Sequence, residues 1–328
     1  MRALSVLTAV AFMVGGGGSL VAEVQHPVFP SSVAPRQVAG LKARVEKVMG
    51  FSRAEIDQWI VAKSSFQMVA CPNCEWPGGR RDRKNYWRWS VEDPERVHCT
   101  HCGAIYPDQR YPMSAVDRIV DPTGQEQEFP YYPGKDGYKY YLTGKIDNAR
   151  KQYMEQIASV LASLYVGTHD ARYARQAALI LDRLAAAYPH YNVQICRREG
   201  SPLLLKTAIL QAPEGLVDVA KAISPTIGRN DGSHYPYWSN RRGDGWNGWY
   251  YSELPTSLVY AYDAIAASDA LDRLSAELGH DVRGRICSFF RDTANYARSY
   301  PVYLGNMDPT LISGFAVIGR VIGEPELV

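Results

Sequence analysis

Four cysteines in two C-x2-C pairs constrain the fold of this chain more than any other feature of its sequence. Cys71 and Cys74 form Cys-Pro-Asn-Cys, and Cys99 and Cys102 form Cys-Thr-His-Cys, with Gly103 directly behind. Each short loop turns two thiolates toward one point, and the glycine relaxes the second turn. The spacing therefore predicts a four-sulfur, tetrahedral zinc site. Four sulfur ligands close the coordination sphere, which predicts a structural ion and not a catalytic one.

Two other interpretations of these cysteines stay open. The first is a pair of disulfides, because the sequence also predicts export to an oxidising compartment. The second replaces one thiolate with His98 or His101, which flank the second pair. Cys196 and Cys287 are far apart in the sequence, and they form either a disulfide with each other or two buried thiols.

The N-terminus has the pattern of a signal peptide. Arg2 supplies a positive start, an apolar run extends from Leu4 to Val14, and small residues lead to a predicted cleavage site after Ala22. The apolar run is too short to cross a bilayer. We therefore expect a periplasmic or secreted protein without a membrane span.

Apolar residues at helical spacing dominate the chain from about residue 147 onward. Asp170 is suited to cap the second of these helices. The predicted helical segments are Met154–Tyr165, Ala174–Leu184, Leu203–Ile223, Leu254–Ile265 and Leu271–Phe290. No segment shows the sustained alternation of a strand, and residues 107–145 are predicted to be a long irregular excursion. The pattern predicts an all-α body of antiparallel helix pairs.

The predicted organisation has four parts. They are a signal peptide over residues 1–22, a lead-in and helix over 23–66, a zinc-ribbon-like insertion over 67–112 and the helical body over 113–328. Residues 323–328 have the composition of a helix start. We therefore expect the chain to be part of a longer polypeptide.

The segment Tyr235–Tyr251 carries the densest functional signal. Seven of its seventeen residues are aromatic, in a chain that has 22 Tyr and 7 Trp but only 8 Phe. Flat rings suit the faces of sugars, and arginine forks bind carboxylates or sulfates. The alternative is a long loop that packs its rings on the helices. The candidate substrate-binding residues are Trp238, Asn240, Arg241, Arg242, Trp246, Asn247, Trp249 and Glu253.

Candidate acid–base groups are few. His234 lies beside the aromatic segment, and Asn306 lies on a loop between two predicted helices, where its alternative role is a helix cap. No G-x-S-x-G, P-loop or H-E-x-x-H motif is present. A net charge of +2 gives no electrostatic footprint for nucleic acid. These observations favour a polar, non-nucleic ligand.

Several of these features together resemble the heparinase II/III-like polysaccharide lyases, from about residue 35 to the end. The resemblance lies in the signal peptide, the helix pairs, the segment W-N-G-W-Y-Y-S-E-L-P running into L-V-Y-A-Y-D, and the later G-N-M-D-P. The C-x2-C pairs depart from the better-known members. The resemblance implies an incomplete (α/α) toroid that binds an acidic polysaccharide, and a C-terminal β-sandwich that this chain lacks.

The resemblance also implies β-elimination at a uronic acid. Asn306 matches the family's asparagine that neutralises the uronate carboxylate. The family's catalytic tyrosine and histidine would fall beyond residue 328, so His234, Tyr250 and Tyr251 are weaker candidates for acid and base.

Two other functions stay open at this point. One is a glycoside hydrolase acting on uronides, which would need two carboxylates from Asp244, Glu253 and Asp263. The other is a non-catalytic carbohydrate-binding protein. In all three cases the expected metal is one structural Zn²⁺, with no organic cofactor.

Overall fold

The computed structural model of this chain contains both helices and small antiparallel sheets. It describes residues 24–69, 71–74, 87–121, 123–135, 139–191, 237–239, 254–298 and 308–328. The helices are α1 Pro35–Val45, α2 Arg53–Trp59, α3 Leu142–Thr168, α4 Ala171–Ala187, α5 Thr256–Ala266, α6 Ala270–Leu278, α7 Val282–Arg298 and α8 Asp308–Ile322. The strands are β1 Ser65–Met68, β2 Trp87–Ser90, β3 Asp93–Cys99, β4 Ile105–Tyr106, β5 Ala115–Val120, β6 Glu126–Pro133, β7 Lys139–Tyr140 and β8 Tyr237–Ser239. Short 3-10 helices cover Val48–Gly50, Tyr188–His190 and Pro325–Leu327.

Helices α3 and α4 form the antiparallel pair on which the other elements pack. His169 ends α3 in the left-handed region at φ 56°, and its N–H donates to the Tyr165 carbonyl at 2.7 Å. The Asp170 carboxylate then accepts from the Arg172 N–H at 3.0 Å, so the predicted N-cap is confirmed. Two residues are enough to reverse the chain because the first closes one helix and the second opens the next.

One hydrophobic core joins this pair to α5 and α7. Leu161 and Leu181 are fully buried, as are Ile265 and Phe290 on the later helices. Burying a side chain of this size contributes roughly 1.5–3 kcal/mol. The predicted apolar faces of these four helices therefore meet, whereas the predicted segment Leu203–Ile223 lies outside the described residues. None of the helices in the described ranges is long and apolar enough to cross a membrane.

The all-α prediction is wrong, because the chain is mixed α/β. The described residues include three antiparallel sheets, with strand orders β1-β8, β2-β3-β4 and β5-β6-β7. Residues 107–145, predicted to be irregular, contain the hairpin β5–β6 with Val120 opposite Glu126. The apolar pattern does not reveal these strands. Phe129 is the one fully buried residue of β6, so buried and exposed residues do not alternate along it. A fold made only of helix pairs, such as a plain toroid, does not describe this chain.

Strand β1 and the two larger sheets pack beside the start of α3 through a second apolar cluster. The Phe66 ring stacks on the Tyr141 ring with centroids 4.1 Å apart and an interplanar angle of 6°. A Cβ added at Gly144 would lie 2.2 Å from Phe66 Cδ2. Only glycine therefore lets β1 approach α3 this closely.

Candidate functional site

The four cysteine thiols of the C-x2-C pairs converge on one point. Their sulfur atoms all lie within 4.8 Å of one another. The Cys71 and Cys102 sulfurs are 3.7 Å apart, and the Cys74 and Cys99 sulfurs are 3.6 Å apart. Metal–sulfur bonds of 2.3 Å in a regular tetrahedron put the sulfurs about 3.8 Å apart. The described cysteines are free thiols, and the cluster has the size that one ion requires.

Local backbone geometry brings the second pair of thiols together. Cys99 ends β3, and its N–H donates to the Ala104 carbonyl at 2.8 Å. Gly103 has a φ of +74° and donates its N–H to the Cys99 carbonyl at 2.9 Å. This positive φ is the conformation that glycine adopts most easily. The predicted role of Gly103 in the turn is therefore confirmed.

Burial sets the electrostatics of the cluster. It raises the pKa of the Cys71 thiol to about 12, despite a hydrogen bond with the Tyr106 hydroxyl. Burial also raises the pKa of the Cys74 thiol. At Cys102, burial opposes ionisation, but hydrogen bonds from the Asn73 side chain and the Ala104 backbone lower the pKa to about 7. A bare thiolate is costly at Cys71 and Cys74, and a bound cation would remove that cost by replacing their protons.

Three polar side chains that the sequence reasoning missed surround the cysteines. The buried Tyr106 hydroxyl lies 3.0 Å from the Cys71 sulfur. The Tyr111 hydroxyl donates to Asn73 Oδ1 at 2.7 Å, and the Asn73 side chain in turn bonds the Cys102 sulfur. The asparagine inside Cys-Pro-Asn-Cys was the only local signal of this arrangement, since the tyrosines reach the site through the β3–β4 fold.

Neither histidine next to the second cysteine pair joins the sulfur cluster. His98 lies instead 3.7 Å from the Asp93 carboxylate. Within the described residues, the group that could hold a metal consists of the four cysteines, without His101. The alternatives with a histidine ligand are therefore not supported.

Most of the predicted substrate residues lie outside the described part of the chain. They are His234, Asn240, Arg241, Arg242, Asp244, Trp246, Asn247, Trp249, Tyr250, Tyr251, Glu253 and Asn306. Cys196 and the predicted signal peptide, residues 1–22, also fall outside it. Trp238 is described only through the backbone of β8, which pairs with β1 so that Ser239 faces Ser65. Part of the aromatic segment is thus placed directly beside β1.

A buried polar face of α3 lies next to β1. The Asn148 side chain has no exposed area, and its Nδ2 donates to the Ser65 hydroxyl at 3.3 Å. Its Oδ1 has no hydrogen-bond partner among the described residues. Lys145 and Lys151 are buried one turn to either side. These polar residues interrupt an apolar helix pattern, and that interruption was the signal that could have revealed them.

A histidine–carboxylate pair lies at the end of α4. His190 Nδ1 is 2.9 Å from Asp121 Oδ2. Asp121 is buried in the β5–β6 turn and also accepts from the Thr123 N–H, the Thr123 hydroxyl, the Gln125 N–H and the Gln127 amide. Burial raises the pKa of Asp121, but the hydrogen bonds from Gln127, Thr123 and His190 outweigh it and lower the pKa to about 2. Asp121 is therefore a stable anion beside the imidazole.

Asp263, one of the predicted hydrolase carboxylates, is engaged elsewhere. It is 1% exposed and accepts from His26 Nδ1 at 2.7 Å and from the Val28 and Phe29 N–H groups at 2.8 Å. It therefore fastens the N-terminal lead-in to α5. Cys287 is a free thiol that donates to the Tyr262 hydroxyl at 3.3 Å.

No family model, curated protein or solved structure matches this chain.

Proposed function

We propose that Cys71, Cys74, Cys99 and Cys102 hold one structural Zn²⁺. The supporting observation is the spacing of the sulfurs, 3.6 and 3.7 Å within the two closest pairs. Four soft thiolates in tetrahedral arrangement favour zinc, and they leave no coordination position for water or substrate. The ion would tie β1 to the β3–β4 turn, so that its binding energy contributes to folding.

Metal analysis of the purified protein, combined with thiol titration, tests this proposal. We expect one zinc per chain and no disulfide among the four cysteines. A Cys287→Ser variant is the matched control, because this thiol lies outside the cluster, and it should keep the full zinc content. Four oxidised cysteines without metal would overturn the proposal.

We further propose that the protein is an exported polysaccharide lyase that cleaves an acidic, uronate-containing polymer by β-elimination. The observation that carries this proposal is the pairing of β8 with β1 beside the polar face of α3. Residues 237–239 of this segment pair with the strand whose Ser65 bonds the buried Asn148 amide. The aromatic rings and arginines in the sequence of the segment, together with such an amide, suit a sugar that has both hydroxyls and a carboxylate.

The reaction makes three demands on such a site. The uronate carboxylate must be neutralised, the C5 proton must be removed, and the departing O4 must gain a proton. In the proposed assignment Asn306 neutralises the carboxylate by hydrogen bonding, which is the role of an oxyanion stabiliser. Arg241 and Arg242 would bind neighbouring acidic groups, and Trp246 and Trp249 would stack on the sugar rings.

A lyase is favoured over a hydrolase because Asp263 is already bound. A hydrolase needs two carboxylates that face the scissile bond. Both carboxylate oxygens of Asp263 already accept hydrogen bonds from the lead-in, donated by His26, Val28 and Phe29. Of the three candidate carboxylates, only Asp244 and Glu253 would then be left for a hydrolase.

Incubation with uronate polymers tests the lyase. Elimination leaves a C4–C5 double bond that absorbs in the far ultraviolet, and hydrolysis leaves none. We expect absorbance to rise with uronate polymers and not with dextran, which has no carboxylate. Asn306→Ala should reduce kcat by about 10²–10³-fold and leave the zinc content unchanged. New reducing ends without absorbance would instead identify a hydrolase.

A further inference from the structure

A series of polar residues runs from β1 along α3 to the end of α4, joined partly by contacts and partly by their order in the chain. Ser65 of β1 faces β8 and bonds Asn148. Lys151 lies one helical turn beyond Asn148, and its Nζ is 5.4 Å from the centroid of the Tyr191 ring. Tyr191 directly follows His190 in the chain. We call Ser65, Asn148, Lys151, Tyr191 and His190 the polar strip.

Asn148 is the member that points to a ligand. Its Oδ1 is buried and has no hydrogen-bond partner within the described ranges. A buried carbonyl oxygen without a donor costs roughly 1–3 kcal/mol, so folded proteins rarely leave one unpaired. A sugar hydroxyl would supply the missing donor.

Asp121 holds the His190 ring in one orientation. Within the described part of the chain, both hydrogen bonds of the ring involve Nδ1, with the Asp121 carboxylate at 2.9 Å and the Thr123 hydroxyl at 3.3 Å. A carboxylate at Nδ1 keeps the proton on that nitrogen, and the lone pair then belongs to Nε2. The imidazole is thus prepared to take a proton at Nε2.

A second histidine–carboxylate pair, His280 with Asp182, differs from the His190–Asp121 pair in the charges around its carboxylate. His280 lies 3.0 Å from Asp182, but Asp182 is also paired with Arg53 and Arg285. Two guanidinium groups therefore already balance that carboxylate. Among the described residues, Asp121 has no arginine or lysine partner, and its donors other than His190 are neutral. The charge of Asp121 is therefore available to stabilise a protonated His190.

We infer that His190 is the base that removes the C5 proton in the proposed lyase, with Asp121 as its positioning residue. This inference rests on the proposed function. The C5–H bond breaks, and its proton moves to Nε2 while its electron pair forms the C4–C5 double bond. The C4–O4 bond breaks with its electron pair remaining on O4, which takes a proton from water.

His190→Gln tests the inference, and His280→Gln is the matched control. The two histidines have similar exposure, 21% and 26%, and each bonds a buried aspartate. We expect His190→Gln to lower kcat on a uronate polymer by at least about 100-fold, because general base catalysis contributes roughly 10²–10⁴-fold. The control should keep wild-type kcat. Added imidazole should partly restore the rate of His190→Ala, which a purely structural loss would not allow.

Asp121→Asn provides a separate test through the split between kcat and KM. Asp121 contacts His190 and the residues of the β5–β6 turn. We expect kcat to fall while KM for the polymer stays close to the wild-type value, because the carboxylate orients the imidazole and does not bind the sugar. Unchanged kcat in His190→Gln with an active wild type would overturn the inference alone. A wild type without elimination on any uronate polymer would overturn the proposed function as well.

Discussion

Replacing Gly144 with alanine should destabilise the protein, even though alanine is the better helix former. Gly144 lies in the first turn of α3, under the Phe66 ring of β1. An alanine Cβ would lie 2.2 Å from Phe66 Cδ2, 2.9 Å from Cε2 and 3.2 Å from Cγ. The ring is 1% exposed and is stacked on Tyr141 at 4.1 Å, so it has little freedom to move aside.

The change in the free energy of unfolding caused by Gly144→Ala is the balance of two opposing effects. Exchanging glycine for alanine in a helix contributes at most about 1 kcal/mol of stability. Carbon atoms attract best at about 3.5–4.0 Å, so the new methyl group would overlap the Phe66 ring by more than about 1 Å. Forcing such a group into a packed core costs about 1–3 kcal/mol. We therefore expect the free energy of unfolding to fall by about 1–2 kcal/mol.

Urea unfolding followed by far-ultraviolet circular dichroism measures this change, and Gly40→Ala is the matched control. Gly40 is an exposed residue inside α1, and a Cβ added there meets nothing within 4 Å. This control should gain up to about 1 kcal/mol, so the two variants should differ by the overpacking cost alone, about 1–3 kcal/mol.

The Phe66→Ala background isolates the contact. Without the ring, the alanine at position 144 has space, so Gly144→Ala should become neutral or stabilising in that background. Equal stabilisation by Gly144→Ala and Gly40→Ala in the wild-type background would refute the close packing of β1 on α3. It would also remove the basis for the contact between Ser65 and Asn148.

Three further predictions concern the metal, its surroundings and the Asp121 carboxylate. Removing the metal with a strong chelator should shift the fluorescence of Trp87 to the red while most helical dichroism remains, because Trp87 packs with the cysteine cluster and the helical core is a separate cluster. Tyr106→Phe, which removes the hydroxyl 3.0 Å from the Cys71 sulfur, should weaken zinc binding by about 10–100-fold in competition with a chromogenic chelator. An unchanged affinity would exclude a role for this hydroxyl. Asp121 has a pKa lowered to about 2 in the folded state, against about 3.9 when unfolded, so its contribution to stability is complete above about pH 4 and is lost as the pH falls toward 2. Thermal unfolding between pH 5 and 2 should show a shallower acid dependence in Asp121→Asn, and the same slope in both proteins would contradict this reasoning.

The zinc ligands and the helix pair could be predicted from sequence because both are local. A C-x2-C loop turns its two sulfurs toward one point whatever surrounds it, and the 4.8 Å cluster agrees with that expectation. The apolar spacing on either side of Asp170 defines two helix faces within a few turns. Each single C-x2-C pair and each helix face is contained in fewer than about 20 neighbouring residues.

The sheets of residues 107–145 could not be recognised in the same way. A small surface sheet buries few side chains, and β6 has Phe129 as its one fully buried residue, so no alternation marks the strand. The Asp121–Gly124 turn was a usable hairpin signal. Sequence reasoning counted these polar and glycine residues as irregular structure.

The sequence by itself determined which residues can bind zinc and where α3 and α4 form, because short-range geometry decides both. Only the tertiary structure decided that Asn148 bonds Ser65, that Asp121 bonds His190, and that Asp263 ties the lead-in to α5. These contacts join residues 69 to 237 positions apart. No local pattern encodes them, since burial and pairing at such separations depend on how the whole chain packs.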